Sequence, residues 1–236
     1  MTLRKTLTSL VIAGASLFAN PQRAKPETLF FDNFEQENAQ GWVSQGGNWN
    51  LVNDSLGNGV FRQNGFVGGG NNFTFATTDF FVDNYNANVD INILERRPND
   101  VGAGFKIYRE NQFGLHEGIA LNLFPRSSYL SVSALNQNNQ RIEYIYSMSI
   151  ETNRWYHLGL NVSNGLFDVL LDGNVVMNDL PTISHSGYFS LDTDDMIADF
   201  DNVTLYRIPE PFTLALLGIG ALALGKKRSD LPMKEV

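Results

Sequence analysis

The chain has 236 residues, no cysteine and a formal net charge of −8 at pH 7. With no disulfides available, the folded part must be held by its core alone. Between Pro26 and Arg207 there are nine basic and 22 acidic side chains, a net charge of −13. Such a surface repels phosphate backbones, and no basic aromatic stripe is present, which argues against nucleic-acid binding.

The N-terminus opens with a charged patch, Arg4-Lys5, then a moderately apolar run from Thr6 to Phe18. That run is too short to span a bilayer and has the form of a signal-peptide core. Ala13-Gly14-Ala15 and Leu17-Phe18-Ala19 are alternative cleavage sites, so residues 1–24 are assigned to a signal peptide and set aside from fold reasoning.

Residues 25–207 read as one domain made of strands. Val89, Ile91 and Ile93 alternate with Asn88, Asp90 and Asn92. Ala103, Phe105 and Ile107 alternate with Gly104, Lys106 and Tyr108, and similar sets recur at 119–123, 130–134, 142–148 and 167–171. Period two sends each apolar set to one face of a sheet and the polar set to the other. No amphipathic helix of ten residues or more interrupts them. Asn164-Gly165 and Asp172-Gly173 favour positive φ and predict two tight hairpins. Asparagine is frequent, and Asn71-Asn72 and Asn138-Asn139 are read as further turns. Gly68-Gly69-Gly70 lacks the Lys-Ser/Thr of a phosphate cradle and is read as loop punctuation. The predicted fold class is all-β, with two antiparallel sheets packed face to face. In the last strand Phe200 lies on one parity and Val203 and Leu205 on the other. Burying all three requires a β-bulge near Asp201-Asn202.

Beyond Arg207 the chain reads Pro209-Glu210-Pro211, an apolar stretch from Phe212 to Gly225, and Lys226-Lys227-Arg228. The prolines stop any strand or helix. Roughly fourteen helical residues would span only about 21 Å, short of a stable membrane crossing. The three parts in order resemble the PEP-CTERM sorting signal of exported bacterial proteins. That resemblance implies recognition by an exosortase-type enzyme, transient anchoring in the inner membrane, removal of the signal, and delivery to the cell surface or its exopolysaccharide. Residues 208–228 are assigned to this signal, with its short hydrophobic helix, and 229–236 to a polar tail.

Two stretches in the domain carry a second resemblance. One is Trp155-Tyr156-His157-Leu158, followed by the Asn-Gly hairpin and Leu171-Asp172-Gly173. The other is Phe200-Asp201-Asn202-Val203, with Phe31-Asp32-Asn33-Phe34 as the opening strand. Together they resemble the concanavalin A-like, laminin-G-like jelly roll. That fold hosts lectins, hydrolases and scaffolds, so it implies no single activity.

The candidate sites follow from these readings. Family 16 glycoside hydrolases share this sandwich and place two or three carboxylates on one strand as Glu-x-Asp-x-Glu or with one extra residue. The nearest match, Asn88 to Glu95, has an amide in the first position and Glu95 at the wrong parity, so no catalytic residue is assigned. Glycoside hydrolysis by other carboxylates is the alternative function. His116, His157 and His185 are the only histidines; no zinc spacing or nucleophile elbow accompanies them. The preferred function is non-enzymatic carbohydrate binding or a structural role at the surface. Asn88, Asp90 and Asn92, with Lys106 and Tyr108 on the next strand, are the candidate sugar contacts, because amides and carboxylates bond hydroxyls and a tyrosine ring stacks on a sugar. Asp192, Asp194, Asp195, Asp199 and Asp201 crowd into ten residues. With Asp32 brought near by pairing of the first and last strands, Asp199 and Asp201 are the candidate ligands for Ca²⁺.

Overall fold

In the computed structural model the described residues are 25–36, 41–64, 71–81, 83–95, 102–111, 114–135, 138, 140–182, 186–194 and 196–208. The signal peptide, the sorting signal, the polar tail, Gly68-Gly69-Gly70, Asn139, His185 and Asp195 lie outside them. So do the side chains of 71–73, 75–81, 109–111, 114–117 and 186.

The described chain forms only strands. In order they are β1 (Glu27–Asp32), β2 (Trp42–Gln45), β3 (Trp49–Asn53), β4 (Gly59–Gln63), β5 (Asn71–Phe81), β6 (Tyr85–Glu95), β7 (Ala103–Asn111) and β8 (Gly114–Phe124). They continue as β9 (Tyr129–Leu135), β10 (Arg141–Ser147), β11 (Trp155–Ser163), β12 (Leu166–Leu171), β13 (Asn174–Pro181), β14 (Ser186–Asp194) and β15 (Ile197–Arg207). Sheet A runs β13-β12-β11-β6-β15-β4-β3, with β1 also paired to β15. Sheet B runs β10-β9-β8-β7-β14-β5-β2. Every strand pair is antiparallel. The fold is the two-sheet antiparallel sandwich that the alternation predicts, and the jelly roll that the resemblance implies.

The core is the sum of the apolar parities. From β6 it takes Tyr85, Ala87, Val89, Ile91 and Ile93; from β7, β8 and β9 it takes Phe105, Ile107, Ile119, Leu121, Leu123, Leu130 and Val132. At one end the core is aromatic. Phe34 stacks on Phe61 with centroids 5.2 Å apart, and Trp49 lies 5.6 Å from Phe200. Trp42 touches Phe30, Phe34, Phe61 and Phe189, while its indole N–H donates to Asp32 Oδ2 at 2.8 Å. Buried aromatics of this size supply much of the stability that disulfides would otherwise give.

The two hairpins form as expected. Asn164 and Gly165 have φ of 54° and 76°, and Asp172 and Gly173 have 50° and 79°. Both central residues in the left-handed region match the twist of the flanking strands. The bulge also forms. Asp201 faces Asp90 and Thr204 faces Asn88, so three steps along β15 match two along β6. Asn202 takes up the extra step at φ 50°, and Phe200, Val203 and Leu205 all reach the core.

Two expectations change. Asn71 and Asn72 do not make a turn; they open β5 and pair with Asp194 and Thr193 of β14. The sheet ladder overrides their turn preference. The second change concerns β6 and β7. They are consecutive, but β6 belongs to sheet A and β7 to sheet B. Their polar faces therefore point out of opposite sides of the sandwich.

Candidate functional site

The outer face of sheet B holds buried polar side chains where a solvated surface would be expected. The outward positions of β7 are Gly104, Lys106 and Tyr108, with Gly102 just before the strand. Register places Ser190 and Asp192 of β14 beside Lys106 and Gly104, and Ala120 and Asn122 of β8 on the other side. Gly104 has no room for a side chain: a Cβ there would run into the Leu121 carbonyl oxygen and lie 2.8 Å from Asn122 Oδ1. A Cβ on Gly102 would press on Phe124 and Asn122. The two glycines lower the surface, and Gly102, Lys106, Asn122, Phe124, Arg141, Asp192 and Asp194 line an open depression of about 180 Å³ there.

Lys106 Nζ lies 2.9 Å from Asp192 Oδ2, with the two side chains 7% and 4% exposed. Each charge is withdrawn from water, so each holds the other in place. Asn122 Oδ1 in the wall, and Ser190 Oγ beside Lys106, are buried without a hydrogen-bond partner among the described residues. Phe124 and Tyr129 stack at one end, centroids 4.8 Å apart and planes at 26°. Along the same face Ser131 Oγ donates to Glu143 Oε1 at 2.6 Å. The depression thus offers amide and charged groups next to an aromatic pair.

Of the five sugar-contact candidates, Lys106 and Tyr108 fall on this face, and Lys106 lines the depression. Asn88, Asp90 and Asn92 lie on the outer face of sheet A, on the far side of the molecule. There Asp90 is fully engaged: Oδ1 is 2.6 Å from His157 Nδ1, and Oδ2 accepts from Asn202 Nδ2 at 2.8 Å. Asn88 Nδ2 donates to Thr204 Oγ1 at 3.2 Å. The five therefore do not form one site.

The metal-ligand candidates are also apart in their bonding. β1 does pair with β15, and Asp32 faces Val203. Asp32, however, accepts the Phe34 N–H at 2.8 Å and the Trp42 indole. Asp199 is buried and holds Arg62 through two bonds of 2.5 and 2.8 Å. That carboxylate raises the Arg62 pKa above its ordinary value, chiefly through the hydrogen bonds. Asp201 accepts from the Asn202 N–H at 2.6 Å. Among the described residues no three His, Asp or Glu side chains are grouped to hold a metal.

Asn122, Phe124, Tyr129 and Arg141 were not marked by sequence reasoning. The readable hint was Gly102 and Gly104 on the polar parity of a strong strand, where a side chain would ordinarily stand.

No protein-family model and no curated protein matches the chain. Among solved structures it is similar to the carbohydrate-binding module CBM66 from Bacillus subtilis. The TM-score is 0.55 at 20% identity, over 70% of this chain and 95% of that one. It is also similar to a Bacillus licheniformis β-glucanase, with TM-score 0.52 and 12% identity over 78% of this chain and 99% of the enzyme. The receptor-binding domain of botulinum neurotoxin D gives 0.55 at 11% identity, and there the chain spans only 53% of its length. At such identities the likeness is one of fold, and that fold is the concanavalin A-like jelly roll.

Proposed function

We propose that this chain is an exported β-sandwich that binds carbohydrate without cleaving it, and that the sheet B depression is where it does so. The observation that carries the reading is the unpartnered Asn122 Oδ1 in the wall of the depression, beside the stacked Phe124–Tyr129 rings. A sugar supplies hydroxyl donors for the first and an apolar ring face for the second. The likeness to a carbohydrate-binding module supports the same reading at the level of fold.

Hydrolysis is the second reading. Asp192 and Asp194 stand on alternate outward positions of β14 and both line the depression. Hydrolysis needs one carboxyl to give up or take a proton. Asp192 is tied to Lys106 in a buried ion pair, which disfavours that role.

The export pattern at both termini supports placing the domain at the cell surface or in the exopolysaccharide, after processing by an exosortase-type enzyme. A glycan array with the full chain tests the binding reading. Saturable binding is expected, reduced about tenfold or more by Asn122→Ala or Phe124→Ala, equivalent to roughly 1.4 kcal/mol or more. Circular dichroism would check that the variants remain folded. Release of reducing ends would transfer the assignment to hydrolysis. Undiminished binding by both folded variants would remove the depression as the site.

A further inference from the structure

The sandwich has several strand edges, and they are not alike. In sheet A, β13 shifts register twice against β12, carries Asp179 at φ 54° and ends at Pro181. β1 shifts register between Thr28 and Phe30, and β3 is five residues long. In sheet B, β2 has only four residues. Short strands, bulges and proline all blunt an edge against pairing. β10 has none of these. It runs Arg-Ile-Glu-Tyr-Ile-Tyr-Ser in unbroken register against β9 over seven residues, and among the described residues nothing pairs with its other side. Ile145 is 59% exposed on it and Tyr146 37%.

We infer that β10 pairs antiparallel with β10 of a second copy, making a two-fold dimer with sheet B continuous across it. Charge favours this seam. The domain carries −13, yet β10 has one Arg141 and one Glu143 and no net charge, so the seam itself adds no repulsion between two acidic bodies. An antiparallel strand is complementary to itself, and because the other edges are blunted the contact closes at two copies instead of propagating. A two-fold axis through the sheet keeps both outer faces on one side. The two depressions then lie on the same surface, five strand steps from β8 to its counterpart, or about 24 Å. The pairing itself does not depend on the carbohydrate reading. If that reading holds, the dimer is bivalent toward a repeating polysaccharide.

The absence of native cysteine makes a single introduced thiol a clean reporter. In the purified full chain, Glu143→Cys, Ile145→Cys and Ser147→Cys sample the outward positions of β10. At least one of them should form a disulfide-linked dimer under mild oxidation much faster than Leu56→Cys, which is 82% exposed on a turn, or Val175→Cys on β13. Light scattering should show a dimer for the wild type and a monomer for Ile145→Lys. Equal cross-linking at all five positions, no cross-linking on β10, or an unchanged mass for Ile145→Lys would each overturn the inference.

Discussion

Asp201 carries a cost of the bulge. Burial pushes its carboxyl up from 3.8 to about 6, against the Asn202 N–H, which lowers it, and with help from Asp90, Glu35 and Asp54. The folded state then binds this proton more tightly than the unfolded state does. Below about pH 4 both states are protonated and there is no penalty; between about 4 and 6 stability falls as pH rises, and above that the whole penalty remains. Because the side chain is only partly buried, solvent reduces the effect to the order of 1 kcal/mol. Asp201→Asn should therefore melt higher than the wild type at pH 7.5, and the difference should vanish near pH 4. A difference of the same size at both values would contradict this.

Lys106 and Asp192 present the opposite case, a pair whose halves need each other. Lys106→Met should lose about 3 kcal/mol or more in chemical denaturation, since it takes the lysine charge away from a buried carboxylate. The double variant Lys106→Met with Asp192→Leu should recover much of that loss. If the single variant is as stable as the wild type, the ion pair is more solvated than its burial indicates.

At the scale of the element, β15 carries one extra residue. Deleting Asn202 would leave two steps of β15 between Asp201 and Thr204 against the two of β6 between Asp90 and Asn88, so pairing becomes regular while Phe200, Val203 and Leu205 still face the core. The deletion variant should therefore fold without the bulge, and Asn202→Gly, which accepts φ 50° without strain, should keep the bulge and lose only about 1 kcal/mol with the Asp90 bond. Soluble expression and circular dichroism of the two variants test both outcomes. A deletion variant that fails to fold would mean that the bulge does more than reset side-chain parity.

For the whole molecule, the acidic residues and the tail give two expectations. Asp32, Asp199 and Asp201 each have their own donors and share no coordination sphere, so restoring Ca²⁺ after EDTA should leave the melting temperature of Asp201→Asn and wild type shifted alike, if at all. A Ca²⁺ shift lost only in Asp201→Asn would place a cation at the bulge after all. In a native-like host, replacing Pro209-Glu210-Pro211 by Ala-Ala-Ala should leave full-length precursor in the inner membrane. Unchanged processing would make the tail a plain anchor.

The sequence by itself determined the layers, the two hairpins and the bulge. Each follows from rules that act within a few residues: side-chain parity, positive φ at Asn-Gly and Asp-Gly, and the conflict between Phe200 and Val203. It left β2 to β5 unmarked, where alternation is broken by polar and aromatic residues at both parities. It could not say that β6 and β7 part into different sheets, since parity tells which residues share a face but not which sheet a strand joins. Only the tertiary structure decided that Lys106 stands across from Asn88 rather than beside it. Only the pairing of β7 with β14 brought Asp192, 86 residues later, onto the same surface as Lys106. A site assembled across a sheet draws its residues from strands distant in the chain, and the hydrogen-bonded ladder that joins those strands leaves no local mark on them.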